Sequence, residues 1–522
     1  VSCVAGATAF GGFLLWPEEG ASTTGPTPEK VSLSVDLDRP AAKVEDRFLS
    51  VAIDTAEVVG GEFWAPPGSG EGLLRTHGVH QYDFARLRLR NLARGLAPAY
   101  LRIGGSAADW TVYRMEDDAT SASAPPLRDG ARWMLTRRRW DEVNQFARDL
   151  DYRILFTLNA GRSARDGDGR WDPESARPLI EYSQRNGYPV EAWELGNEPN
   201  AFPLLHWSWL SADAYAGDLR RARALLDDLH APARLAGLAT AFWPVLGEWR
   251  SFTEEVLRRA GNTLDVVTWH YYPQQSYRCP IATRRAGAGA MLGTERSGDV
   301  ERWAARVETA AHAYAPQAAV WLGETASAQC GGEPGVSDTY GDALWWLDEM
   351  GRVARRGQKV VVRQTLSGSD YGLIDDQTLE PNPSYWASWL WRRLMGNEVL
   401  AVSLASQAPA VRAYAHCLRG GPSGAVVMLV MNMDTQHEVA VEPPKALGSA
   451  VRVLRLEADG LGAKEVRLDG EVLRATSDGT PPAMPALDED DTAGPLSVPP
   501  LSAAFAVFPQ AAAAACTSQP AM

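Results

Sequence analysis

The sequence predicts an α/β protein: a (β/α)8 TIM barrel with an accessory β-sandwich domain. Three observations predict it. Between residues 49 and 368, eight short apolar runs of strand length alternate with stretches of helical periodicity. Polar and acidic residues collect at the C-terminal ends of those runs, the face on which such a barrel builds its active site. Beyond residue 396, alternating strand patterns separated by turn signals replace the helical ones. An open, doubly wound sheet is the alternative reading of the eight runs.

In chain order, residues 1–30 come first. "VSCVAGATAFGGFLLW" is apolar and uncharged, and "PEEGASTTGPTPEK" after it has the composition of a flexible linker. The apolar stretch is short for a membrane span and lacks a basic leader, so it reads as the tail of an export signal or anchor. Residues 31–48 follow, with "VSLSVDL" alternating like a strand. The barrel is assigned to 49–395. Its runs are "LSVAIDT" (49–55), "AYLRIGG" (99–105), "RILFTLNAG" (153–161) and "VEAWELGNE" (190–198). Then come "ARLAGLAT" (233–240), "LDVVTWHYY" (264–272), "AAVWLGETA" (318–326) and "KVVVRQTLSG" (359–368). Helical spacing is clearest in "FARLRLRNLARGL", "RRWDEVNQFARDL" and "SADAYAGDLRRARALLDDL". Residues 396–516 carry "RAYAHCL", "AVVMLVMNM" and "SAAFAVF" and are assigned to the sandwich, with 517–522 as a tail.

Composition narrows the function. A chain of 522 residues exceeds one ordinary core. The net charge of −14 disfavours nucleic acid as a partner, because phosphate contacts need a basic face. Only five positive charges are lysines (Lys30, Lys43, Lys359, Lys445, Lys464), so arginine supplies the rest. The five cysteines (Cys3, Cys279, Cys330, Cys417, Cys516) form no CxxC motif, and the odd number leaves at least one thiol free. "DGDGR" at 166–170 lacks the downstream glutamate of a calcium loop and reads as a turn. No metal or other cofactor is expected.

At the strand ends, Asp54 closes the first run, Ser106 follows the second and Asn159 closes the third. Asn197 and Glu198 end the fourth run, and His270, Tyr271 and Tyr272 the sixth. Glu324 ends the seventh, and Gln364 comes late in the eighth. A single glutamate is ordinarily a solvated surface charge. Two glutamates, each ending an apolar strand on the same barrel face, are the minimal apparatus of glycoside hydrolysis. One must donate a proton to the leaving oxygen while the other attacks the anomeric carbon, so their surroundings must separate their pKa values. The tyrosines of "HYY" are placed to hydrogen-bond Glu324. Glu194, four residues before Glu198, reads as a structural ion-pair or hydrogen-bonding group, and Trp193, Trp269 and Trp321 as core.

Several longer segments carry a resemblance: "AWELGNEPN", "WLGET", "VTWHYY", "WWLDEMGRVARRGQKVVVRQ", "NLARGLAPAYLRIGG" and "NPSYWASWLWRRLMGNEVL". Over roughly residues 31–516 the chain resembles the heparanase and β-glucuronidase group, glycoside hydrolase family 79, and within it a heparanase-like bacterial member. The resemblance implies a retaining mechanism with Glu198 as acid/base and Glu324 as nucleophile. It further implies that Asn197 bonds the sugar 2-hydroxyl and that Tyr272 orients Glu324. The uronate carboxylate would be held by backbone N–H groups at Gly331 and Gly332 of "QCGGEP" and by Tyr371 of "GSDYGL", without a basic side chain. Asp54, Ser106, His270 and Gln364 complete the expected substrate-binding set. The resemblance also implies a Cys417–Cys516 disulfide, with Cα atoms about 4.4–6.8 Å apart.

The sequence departs from the group in three places. Cys330 stands where the group has a third glycine, and its side chain is expected to alter φ freedom or narrow the subsite. Only "MEDDATSASAPPLRDGARWM" (115–134) replaces the excisable linker of the mammalian heparanases, which implies activity as a single chain. The stretches that are basic in heparanase are "FPLLHWSWL" and "TAFWPVLGEW" here, which leaves Arg278 as the main basic candidate. Trp207, Trp209 and Trp243 are placed either to stack on sugars or an aglycone or to pack the loops. The expected protein is a monomeric, secreted or cell-envelope retaining β-glucuronidase, endo- or exo-acting, whose partner is a glucuronic-acid-containing glycan or glucuronide. A hyaluronan-degrading endoglucuronidase and a catalytically silent glycan-binding protein are the alternatives.

Overall fold

The computed structural model describes residues 30–517, apart from 73, 117–126, 128, 207, 294–297, 405–407, 449–450 and 488–493. The expected signal or anchor at the N-terminus lies outside the described residues.

Eight parallel strands close into a barrel in their order along the chain. They are Leu49–Asp54, Ala99–Gly104, Tyr152–Leu158, Val190–Leu195, Arg234–Phe242, Val266–Tyr271, Ala319–Thr325 and Val360–Arg363. Each falls on one of the apolar runs, and the closure rules out the open sheet. The outer helices that follow them are Leu87–Leu96, Arg137–Asp149, Arg177–Arg185, Ala212–Asp228, Phe252–Ala260, Asp299–Tyr314, Tyr340–Arg355 and Pro383–Leu394. Ser211 and Thr136 cap two of them by accepting N–H bonds from Ala214 and Arg139.

Strand periodicity sorts side chains between the lumen and the helix layer. The lower lumen is filled by Tyr100, Leu155, Ala192, Val266, Trp321 and Val360, with Tyr100 and Trp321 in ring contact at 4.8 Å. Two residues further along their strands, Arg102, Thr157, Glu194 and Thr268 form a polar layer, all buried. The odd-numbered neighbours face the helices: Trp193 and Trp269 pack in the outer core with Trp140, Phe156 and Phe242. A barrel that ends its apolar filling below its mouth reserves the next layer for chemistry.

Two short strand pairs, Glu62–Trp64 with Thr76–Gly78 and Thr111–Arg114 with Trp133–Thr136, lie in the barrel's loops, and the remaining strands form one sheet of eight and one of four. The centre of the larger sheet is antiparallel: Val411–Leu418, Val426–Asn432, Ser502–Phe508 and Arg452–Glu457. The strand Lys30–Val35 lies in the smaller sheet, antiparallel to Val402–Leu404 and parallel to Val439–Glu442. Cys417 and Cys516 are bonded, with Cα atoms 5.3 Å apart. No helix among the described residues is long and apolar enough to cross a membrane.

Candidate active site

Two backbone irregularities bring the glutamates together. Between the sixth and seventh strands, Trp269 pairs with Leu322 but His270 pairs with Glu324, so Gly323 is an extra residue in the ladder. This bulge returns Glu324 to the lumen face that Trp321 occupies, where strict alternation would have turned it outward. In the fourth strand the regular pattern ends at Leu195. Gly196 turns at φ +72°, where a Cβ would lie 2.8 Å from that of Ala160, and Glu198 itself sits at φ +52°. The Glu198 N–H donates to Ala239 O at 3.0 Å, which ties the turn to the fifth strand.

Arg102 is the hub beneath them. This fully buried side chain donates to Glu194 Oε2 (Nε, 3.0 Å), Glu324 Oε2 (Nη1, 2.6 Å) and Asn197 Oδ1 (Nη2, 2.9 Å). Glu194 also accepts from Thr157 and Thr268 at 2.8 and 2.7 Å. Burial alone would raise the pKa of Glu194; Arg102 above all, then the two hydroxyls, outweigh it and hold it below the ordinary glutamate value. Glu194 is therefore the structural counter-ion that the sequence indicated. Arg102 was hidden inside an apolar run.

The second oxygen of Glu324 accepts from Tyr272 Oη at 2.6 Å. Burial and then the Glu324 charge keep that phenol well above its usual pKa, so it stays a donor. Both Glu324 oxygens thus accept hydrogen bonds, the pattern of an ionised carboxylate. Glu198 has different company: His270 Nδ1 lies 3.1 Å from its Oε1 and 3.8 Å from Glu324 Oε2. Burial, then Arg102, lower the His270 pKa and leave the ring neutral. One oxygen of each glutamate and a His270 ring nitrogen all lie within 4.8 Å of one another. Each glutamate is 7% exposed, enough to meet a ligand.

The other expected residues divide. Asn197 gives its side-chain oxygen to Arg102, which leaves its NH2 group as the hydrogen-bonding end, and its own N–H is held by Asp109 at 2.9 Å. Asp54 caps the helix Thr55–Val59 by accepting from Ala56 N–H. Burial pushes its pKa up to about 7 against that bond, and the Glu324 charge adds to the rise. Gln364 donates to Tyr371 Oη at 3.5 Å, and both are buried. Ser106 opens the turn Ser106–Trp110 and is exposed, and among the described residues no hydrogen bond ties its hydroxyl to the cluster. Asn159 spends its amide on Thr111 O, Ser163 Oγ and Gly161 N–H and is structural. Of the two tyrosines expected to serve Glu324, Tyr271 does not. Its odd register turns it into the helix-side core beside Trp269.

The family model described as "Glycosyl hydrolase family 79, N-terminal domain" matches residues 33–351, more than half of the chain. The chain belongs to glycosyl hydrolase family 79. It is 29% identical to heparanase of Mus musculus, over 96% of this chain and 98% of that one. It is also 29% identical to baicalin-β-D-glucuronidase of Scutellaria baicalensis, over 90% and 91% of the two chains. Among solved structures, the fold is similar to that of 4-O-α-L-rhamnosyl-β-D-glucuronidase from Fusarium oxysporum 12S. That match has a TM-score of 0.64 at 16% identity, covering 91% of this chain and 99% of that one.

The loops around this family 79 site correct two expectations. Arg278 is not a cleft cation. It is fully buried and donates to Ala65 O and Gly332 O, each at 2.8 Å, and to Asp370. Cys330 is not a free side chain crowding a subsite, because it is bonded to Cys279, with Cα atoms 5.5 Å apart. No sequence pattern announces that pair. On the rim, Trp209 and Trp249 are 59% and 53% exposed and meet edge to face at 6.3 Å, with the Arg250 guanidinium over both rings. Trp243 is half-buried, and Trp207 lies outside the described residues. Trp110 stacks on His206 at 4.8 Å, and the exposed Arg132 covers Trp110 at 4.2 Å. Arg132 and Arg250 are thus exposed cations stacked on these tryptophans.

Proposed function

We propose that Glu324 and Glu198 carry the reaction of this glycoside hydrolase, a retaining enzyme that cleaves glucuronide linkages. Glu324 is the nucleophile and Glu198 the acid/base. The observation that supports the assignment most is the unequal company of two neighbouring carboxyls. Glu324 accepts from Arg102 and Tyr272 on its two oxygens, whereas Glu198 has the neutral His270 at one oxygen. Their close approach suits the retaining separation of about 5–5.5 Å rather than the wider gap that admits a water in inverting enzymes. Glu324 attacks the anomeric carbon as Glu198 protonates the departing oxygen. The resulting glycosyl ester is then cleaved by a water that Glu198 deprotonates. Asn197 bonds the 2-hydroxyl through its NH2 group, and Asp54 and Gln364 line the same subsite.

The uronate carboxylate is assigned to the backbone at Gly331 and Gly332 with Tyr371 beside it. In support, among the described residues neither glycine N–H donates to a protein acceptor, while both carbonyls accept bonds. The aglycone side is assigned to the aromatic rim. That rim favours glucuronides with little or no sulfation on the flanking sugar, because the exposed Arg132 and Arg250 guanidiniums already lie over tryptophan rings. The protein is read as a monomer, exported to the exterior or the cell envelope, and active without excision of the 115–134 segment.

Kinetics test the assignment. Glu324→Gln abolishes turnover, a loss of at least about 10³-fold, because no glycosyl ester forms. Glu198→Gln is still glycosylated by an aryl glucuronide with a good leaving group, and azide restores its turnover as a β-glucuronosyl azide. Failure of azide rescue on that substrate would remove Glu198 from the acid/base role.

A further inference from the structure

The loop after the seventh barrel strand is held in an unusual conformation. Cys330, Gly331 and Gly332 follow one another at φ +62°, +84° and +82°. The two glycines have no room to be anything else: a Cβ on Gly331 would lie 2.6 Å from Trp64 Cβ, and one on Gly332 would lie 2.7 Å from Tyr371 N. Left alone, two adjacent glycines sample more backbone states than any other pair. The loop is nevertheless fixed, through its carbonyls and through one side chain. Gly331 O accepts from Ser369 Oγ and Asp370 N–H, both at 2.9 Å. Gly332 O accepts from Arg278, and Cys330 O from Ser276 Oγ at 3.3 Å. The side chain is Cys330, bonded to Cys279.

Arg278 and Cys279 are consecutive, so one short piece of the loop after the sixth strand grips the glycine pair from both ends. The arginine holds the residue after Gly331 and the disulfide holds the residue before it. Cys330 also occupies a left-handed position that a residue with a Cβ rarely adopts, so the cross-link offsets a conformation the residue would not choose. Every tie falls on a carbonyl or on the sulfur, and the glycine N–H groups stay available.

We propose that the Cys279–Cys330 disulfide, seconded by Arg278, is a positioning strut for the carboxylate-binding backbone, so that selectivity for a uronate over the neutral hexose depends on this bond. The proposal rests on the reading that Gly331 and Gly332 bind the uronate. A carboxylate needs two N–H groups aimed together, whereas a hydroxymethyl group needs neither. Loosening the loop therefore costs glucuronide affinity and spares a glucoside.

The test compares 4-nitrophenyl β-D-glucuronide with the matching β-D-glucoside. For Cys279→Ala/Cys330→Ala, the ratio of the two kcat/KM values falls by about tenfold, carried by KM for the glucuronide. Cys417→Ala/Cys516→Ala, the other disulfide, lowers Tm and leaves the ratio unchanged. Gly332→Ala is the control for the reading itself, because its Cβ intrudes on Tyr371. If Gly332→Ala lowers the ratio and the Cys279/Cys330 variant does not, the strut is refuted and the uronate loop stands. If Gly332→Ala leaves the ratio unchanged, the uronate loop falls. Should the double variant not fold, dithiothreitol on the folded wild-type enzyme replaces it. Two electrons and two protons pass to the sulfurs of Cys279 and Cys330 as the dithiol closes to its cyclic disulfide. Thiol mapping by mass spectrometry then reports opening of this pair. A ratio that stays constant as the pair opens overturns the proposal, as does finding both thiols free in the untreated protein.

Discussion

The floor of the site and its rim are built on opposite rules. On the floor, Arg102, Glu194, Thr157, Thr268, Asn197 and Glu324 are buried in successive lumen positions, joined by hydrogen bonds. On the rim, Trp209, Trp249, Leu246, Leu204 and Val245 are more than half exposed, and the two tryptophans meet edge to face. A buried charge network tolerates no change in one member without penalty to the rest. An exposed apolar loop tolerates many. On the proposed assignment, the reaction is fixed in the strands and the choice of leaving group is left to the loops.

The sharpest way to break this contrast is at Arg102. Arg102→Gln leaves Glu194 charged and buried with no counter-ion, a cost of about 3–5 kcal/mol in unfolding free energy. It also removes a donor from Glu324, so turnover falls with stability. Chemical denaturation and kcat of the same sample check both. Arg102→Gln/Glu194→Gln should recover part of the stability and little of the turnover. Recovery of both would make Arg102 a packing residue only.

Asp54 gives a smaller, pH-dependent effect. Its folded-state pKa of about 7 lies above the unfolded value of about 4, so the folded protein holds a proton that the unfolded chain releases first. The stability this contributes is complete below about pH 4 and is lost as pH rises through about 7. In the enzyme, the same ionisation adds a negative charge near Glu324 and the proposed uronate site, so KM for the glucuronide should rise over that range. Asp54→Asn should flatten both profiles between pH 5 and 8. A wild-type KM that does not change across this window counts against it.

The smallest effects belong to the rim. Trp209→Ala/Trp249→Ala should change kcat/KM for aryl glucuronides by about tenfold or less, with Tm unchanged, since each stacking contact is worth about 0.5–1.5 kcal/mol. Heparan oligosaccharides matched in length and differing in sulfation extend the comparison. Turnover of the sulfated member should be unaffected or improved by salt. A preference for the more sulfated member that salt abolishes would assign Arg132 and Arg250 to sulfate binding.

The floor was legible where chemistry coincides with strand ends. Glu198, Glu324, Asn197 and Tyr272 stand out because a polar residue that closes an apolar run needs a reason. Arg102 did not stand out, because its partners come from the fourth and seventh strands and nothing near "AYLRIGG" names them. Tyr271 was misjudged by ignoring alternation, while the inward turn of Glu324 depends on a bulge at Gly323 that only pairing reveals. The rim was least legible. Arg278 looks like a cleft cation in sequence and is a buried clamp, and Cys279 and Cys330 are joined across 51 residues by geometry alone.

The placement of Lys30–Val35 has a consequence for synthesis. Both of its partners, Val402–Leu404 and Val439–Glu442, follow the whole barrel in the chain. A ribosome therefore releases this strand first and its neighbours last. The barrel must close while an alternating, half-apolar segment waits with its backbone unpaired. A chain stopped after residue 395 would keep every strand of the barrel and still carry that orphan edge, open to pairing with a second copy. The edge of Lys30–Val35 is covered only when the sheet that follows the barrel reaches back to collect it.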